Sequence, residues 1–99
     1  MAAGAVAVSP DRPVSTLVHD APGARLVVFR IAPGQRVAPH TSPSTVVLSV
    51  VSGSGLVSGR DGERAVSAGT VVTFEPNELH GMRATDETMV ILAVIAPRP

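Results

Sequence analysis

The sequence predicts an all-β domain of short antiparallel strands closed into a small barrel or sandwich. Three observations point there. Nine prolines and nine glycines punctuate 99 residues so often that few stretches could hold a long helix. Between the breaks lie short runs rich in Val, Ile, Leu and Thr, a mixture suited to pleated, half-buried strands. These runs recur at roughly 8–12-residue spacing with turn chemistry between them, the pattern of sandwiches and barrels.

Taken in order, Val14 to His19 (VSTLVH) and Arg25 to Ala32 (RLVVFRIA) flank the turn Asp20-Ala21-Pro22-Gly23 and read as a hairpin. Thr45 to Val51 (TVVLSVV) is a strand covered on both faces, closed by the turn Ser52-Gly53. Leu56 to Gly59 and Glu63 to Ser67 flank Asp61-Gly62, a dipeptide suited to the positive φ angles of a tight hairpin turn. Thr70 to Phe74, Leu79 to Ala84 and Met89 to Ile95 complete the set. The last lies in the longest run without Gly or Pro and is the best helix candidate, but its Val-Ile-Leu-Ala-Val-Ile composition favours a buried strand. The first dozen residues lack alternation and read as a flexible or edge-pairing arm, so residues 1–12 are assigned to an arm and 13–99 to one barrel domain.

Composition excludes several function classes. Eight Arg and eight Asp or Glu give a formal net charge of zero, with no basic patch. Phe29 and Phe74 are the only aromatic rings of the Phe, Tyr and Trp type, so there is no platform for stacking bases and nucleic acid is not an expected partner. No cysteine is present, which removes disulfides, thiolate metal sites and a cysteine nucleophile. The N-terminus has no basic segment followed by a long apolar one, and no apolar run approaches a membrane span, so the expectation is a soluble cytoplasmic protein without a membrane partner.

Chemistry centres on the histidines. His19 ends a hairpin strand beside Asp20 and is expected to be exposed. His40 and His80 share a local design: a glycine turn, a short extended segment containing proline, then the histidine. One runs Gly34-Gln35-Arg36-Val37-Ala38-Pro39-His40, the other from Gly69 through Pro76-Asn77-Glu78-Leu79 to His80. Two strands entered through similar turns could direct both imidazoles into one barrel interior.

These two segments resemble the motifs of the cupin family. In the first motif Gly34, His40 and Gly53 match; in the second Gly69 and His80 match, with Asn77 where the family has a glycine in a left-handed conformation. The resemblance covers about Leu26 to Ile95 and is nearest to small single-domain cupins of the conserved-barrel type. It implies an antiparallel double-stranded β-helix, or jelly-roll, barrel. It also implies a divalent transition metal such as Zn, Fe, Mn or Ni, held by three histidines and a glutamate. Of those four positions, only His40 and His80 keep a ligand; Ser42 stands for the second histidine and Val46 for the glutamate. Glu75 and Glu78 are conceivable replacement ligands but read more simply as solvated loop residues.

Three functions stay open. The first, favoured here, is a barrel that binds a small organic ligand, with His40, Ser42 and His80 as polar anchors and a degenerate metal site. The second is a metal-dependent enzyme of dioxygenase, isomerase or decarboxylase type, with His40 and His80 as ligands. The third is a ligand-free structural or oligomerising domain. Fold alone does not choose among them, and whether the chain is an enzyme is left open. The expected assembly is a homodimer, because Thr45 to Val51 and Met89 to Ile95 carry apolar residues on both faces.

Overall fold

In a computed structural model that describes residues 12–99, the chain forms nine strands and no helix among the described residues. They are β1 (Val14–Ala21), β2 (Ala24–Ile31), β3 (Arg36–His40), β4 (Thr45–Ser52), β5 (Ser54–Gly59), β6 (Gly62–Ser67), β7 (Val71–Phe74), β8 (His80–Ala84) and β9 (Met89–Ala96). All pairings are antiparallel. One sheet has the order β1-β2-β9-β4-β7 and the other β3-β8-β5-β6. The arm expected over residues 1–12 lies, apart from Arg12, outside the described residues. No helix among the described residues is long and apolar enough to cross a membrane.

Strand alternation decides which side chains meet between the sheets, because successive residues point to opposite faces. From the five-stranded sheet come Ile31, Val46, Leu48, Val50, Val72, Phe74, Met89, Ile91 and Ala93; Val57, Val66, Met82 and Ala84 face them from the other. All are buried in one cluster. Each large aliphatic side chain so removed from water contributes about 1.5–3 kcal/mol before the entropy of ordering it is counted. The helix alternative for Met89 to Ile95 fails here: β9 lies between β2 and β4 and pairs with both along its length.

Two strands differ from the sequence reading. The segment 36–40, read from the sequence as an extended approach to His40 but not counted among the β-branched runs, is a strand, β3; its ladder with β8 is irregular between Val37 and His40. In the β5–β6 hairpin, Gly59 pairs with Gly62, so Arg60-Asp61 forms the loop tip and Gly62 alone carries the positive φ, 109°. A slip by one residue would turn Val66 out of the core, and that fixes the register.

Glycine geometry is most demanding at Gly53, between β4 and β5. Its φ is 77°, and a Cβ there would overlap the Thr88 carbonyl oxygen. Gly34 also has a positive φ, 83°, but open space around it. Gly53→Ala should therefore destabilise the fold by about 2–5 kcal/mol, combining backbone strain with overlap, whereas Gly34→Ala should cost only about 1–2 kcal/mol. Urea denaturation of the two variants measures the difference; equal losses would contradict the assigned close approach.

Candidate functional site

His40 and His80 are Cα partners across β3 and β8, the last residue of one strand facing the first of the other. Their ring centroids lie 4.4 Å apart with planes tilted by 59°. His80 is buried and packs its ring on Phe74, centroids 5.0 Å apart; His40 is exposed. Together with Ser42 they line a small cavity of about 50 Å³ at one end of the barrel, walled by Phe29, Met82 and Ile95. His19 is exposed on β1, as the sequence suggested.

The loops before each histidine are built in related ways. Ahead of β3, a turn over 32–35 is closed by Gln35 N–H donating to the Ala32 carbonyl (2.9 Å), while Ala32 N–H donates to the Gln35 side-chain oxygen (2.9 Å). Ahead of β8, Asn77 adopts a φ of 66°, the left-handed conformation expected for it, and its N–H donates to the Ser42 carbonyl (2.7 Å). That bond ties the approach to His80 onto the loop that follows His40.

Glu78 closes the second loop. Its carboxylate accepts the Glu75 N–H at 2.9 Å and lies 3.5 Å from Arg60 Nε, so it is a structural part of the loop and not a free solvated side chain. Glu75 is exposed.

The two imidazoles are anchored in the same way. His40 Nδ1 lies 3.0 Å from the Ala38 carbonyl and His80 Nδ1 lies 3.0 Å from the Glu78 carbonyl, two residues back in each case. A carbonyl oxygen can only accept, so each bond requires Nδ1–H, and the neutral ring keeps its lone pair on Nε2. Burial pushes the His80 pKa below the usual imidazole range; the Glu78 carbonyl opposes this, and repulsion from a charged His40 adds to it. His80 is therefore a lone-pair donor or hydrogen-bond acceptor at neutral pH, held in one tautomer.

The divalent centre implied by the family resemblance does not fit these donors. Val46 is buried in the core, placing methyl groups where a carboxylate is required. The Ser42 hydroxyl lines the cavity but accepts the Ser44 N–H at 3.2 Å. No cluster of three His, Cys, Asp or Glu able to hold a metal occurs among the described residues. A divalent site needs three or more such ligands.

Sequence reasoning brought His40, Ser42, His80 and Val46 to one place, and the structure does the same. It missed Phe29, Phe74 and Ile95 as neighbours of the imidazoles, because those contacts depend on how the two sheets oppose each other. Met82, read from the sequence as core or pocket lining, is both.

Comparison with known proteins agrees with this architecture. Residues 22–99 match the family described as the AraC-like ligand binding domain. A double-stranded β-helix protein from Klebsiella pneumoniae superimposes with a TM-score of 0.90 at 25% identity, over 98% of this chain and 88% of its own. An RmlC-like cupin from Desulfovibrio desulfuricans gives 0.82 at 30% identity, covering 92% of this chain and 90% of its own. A Thermus thermophilus protein has the same fold, with a TM-score of 0.91 at 22% identity over 100% and 97% of the two chains. No curated protein matches. A single barrel with two cupin motifs converging at one end, matched over most of its length, makes this chain a small cupin of the AraC-like ligand binding domain family.

Proposed function

We propose that this cupin is a binding module, whose barrel-end cavity takes a small organic molecule or one end of a larger one. The observation that carries the reading is the pairing of His40 and His80 across β3 and β8, rings 4.4 Å apart, in an otherwise largely apolar cavity. A few fixed polar groups in an apolar hollow give a ligand orientation and selectivity. With both Nδ1 atoms donating to backbone carbonyls, the rings offer two acceptors, suited to a ligand that presents hydroxyl or amine donors. Ser42 is the third polar group of the site. The family description, a ligand-binding domain, supports the same reading. Of the enzyme alternatives, one that depends on a divalent metal finds no support in the donor set.

Removal of either imidazole should leave a bound donor unpaired. His40→Ala and His80→Ala should each weaken ligand binding by about 1–3 kcal/mol, and His19→Ala should leave it unchanged. Screening a fragment library by imidazole chemical shifts identifies a ligand and then measures its affinity for each variant. Shifts confined to His19, or equal affinities across the three variants, would defeat the reading.

We further propose that the protein is a homodimer through the outer face of the five-stranded sheet. Val47, Leu92 and Val94 are only partly buried there, and Val51 and Val71 remain 49% and 59% exposed. A second copy would cover apolar surface that otherwise faces water. The competing cover is the N-terminal arm of the same chain, folded back over this face; apart from Arg12 it lies outside the described residues. Sedimentation equilibrium at micromolar concentration should give twice the chain mass; a monomer mass rules the dimer out.

A further inference from the structure

We infer that the barrel-end cavity continues into an anion subsite made by Arg25 and Arg98. The ligand class that fits both is a small organic acid carrying a hydroxyl or amine donor. Its donor meets the imidazoles of His40 and His80, and its carboxylate meets the two guanidiniums. This rests on the binding reading proposed above and goes further by naming the ligand's chemistry.

The cavity calls for a ligand that reaches beyond it. Pockets that enclose a small molecule commonly measure about 300–1,000 Å³, so a cavity of about 50 Å³ holds only one end of it. Phe29 and Ile95, two of the walls, are only partly buried, and the rest of the ligand passes over them. Strand register decides what it meets next. Arg25 is the cross-strand partner of Ile95, and paired residues project to the same face of a sheet. Cα atoms of such partners lie about 4.5–5.5 Å apart, so Arg25 stands one strand beyond the cavity wall. Asp20, the partner of Arg25 on β1, shares that face.

A second chain of contacts leads from the cavity to the same place. The Ser42 hydroxyl, which lines the cavity, accepts the Ser44 N–H, and the Ser44 hydroxyl donates to the Pro97 carbonyl. Arg98 follows directly: its backbone N–H donates to the Pro22 carbonyl (3.2 Å) and its side chain meets Asp20. Arg25 Nε and Arg98 Nη1 each lie 3.4 Å from one oxygen, Asp20 Oδ1. One carboxylate between two guanidiniums leaves a positive charge in surplus, and both contacts are long for charge-assisted bonds. The side chains of Arg25, Asp20 and Arg98 are 35%, 32% and 40% exposed, so an anion can reach them. The planar guanidinium fork matches a carboxylate, which an imidazole acceptor cannot bind. Two acceptors at one end and two cationic forks at the other therefore select opposite ends of one molecule.

The test titrates the protein with the homologous series from 3-hydroxypropanoate to 6-hydroxyhexanoate, against diols and unsubstituted acids of equal length. Nitrogen-15 resonances of the imidazoles and arginine side chains report where each compound binds. The hydroxy acid of matching length should move both imidazoles and both guanidiniums together. It should bind about tenfold more tightly than its diol, the worth of a partly exposed bond to a charged group. Arg25→Gln and Arg98→Gln should each remove most of that advantage and leave the diol unchanged. Arg36→Gln, at an exposed arginine of β3, should change neither. Asp20→Asn withdraws the competing carboxylate and should strengthen the hydroxy acid severalfold, which a purely structural role for Asp20 would not do. Exposed ion pairs add little stability, so these variants should fold as the parent does. Equal affinity for acid and diol, or an undiminished advantage in both arginine variants, would overturn the anion subsite and leave the histidine cavity standing. Guanidinium shifts without imidazole shifts would overturn it as well, marking an adventitious surface contact. No shift with any compound also overturns it, while the fragment screen separately decides whether the cavity binds organic molecules at all.

Discussion

Two antiparallel sheets closing on one aliphatic core constrain everything else in this small cupin. With only two phenylalanines, the interior is filled by Val, Leu, Ile, Met and Ala, whose branched side chains pack closely but span less distance than aromatic rings. The sheets must therefore lie near one another, and the core that results is continuous from Ile31 and Met89 to Val46 and Phe74. Glycine leaves room at two close contacts: Gly53 against the Thr88 carbonyl, and Gly55 against the Arg83 carbonyl of the neighbouring strand and, from the opposite sheet, the Met89 side chain. Three polar side chains are buried among the described residues: His80 where β8 begins, Ser44 just before β4, and Gln35 in the turn before β3.

That end is organised by backbone carbonyls more than by side chains. Each imidazole is anchored by a carbonyl two residues earlier in its own strand or loop, and the two loops are joined by the Asn77 to Ser42 hydrogen bond. The rings are thereby fixed by backbone carbonyls, with no carboxylate hydrogen-bonded to either imidazole. Replacement of the family's ligands by Ser42 and Val46 changes the chemistry of the cavity while the framework that orients His40 and His80 is retained. Two imidazoles anchored through Nδ1–H in apolar walls are suited to accepting hydrogen bonds from a ligand and unsuited to holding a hard divalent ion.

Much of this was legible in the residues. The β-branched runs announced eight of the nine strands, since alternation and burial act locally along the chain. Asn77 was readable as a left-handed position through the resemblance, because it stands where the cupin motif has a glycine. β3 was readable only as an extended approach to His40 and not from a β-branched run: Pro39 cannot donate to a ladder, and every residue except Val37 is exposed, so no alternation marks it. The stacking of Phe74 on His80, the close approach at Gly53 and the structural role of Glu78 all arise between segments distant in sequence or from loop closure. Periodicity carries no information about such contacts.

His40 and His80 share one cavity, each donating its Nδ1–H to a backbone carbonyl two residues back, with burial keeping His80 neutral. Nitrogen-15 resonance of the imidazoles across a pH series tests it directly. The account predicts the Nδ1–H tautomer at both rings, His80 staying neutral below the pH at which an exposed imidazole becomes charged, and an inter-ring contact between the two. An Nε2–H tautomer at either ring, or His80 titrating as an exposed histidine does, would contradict it.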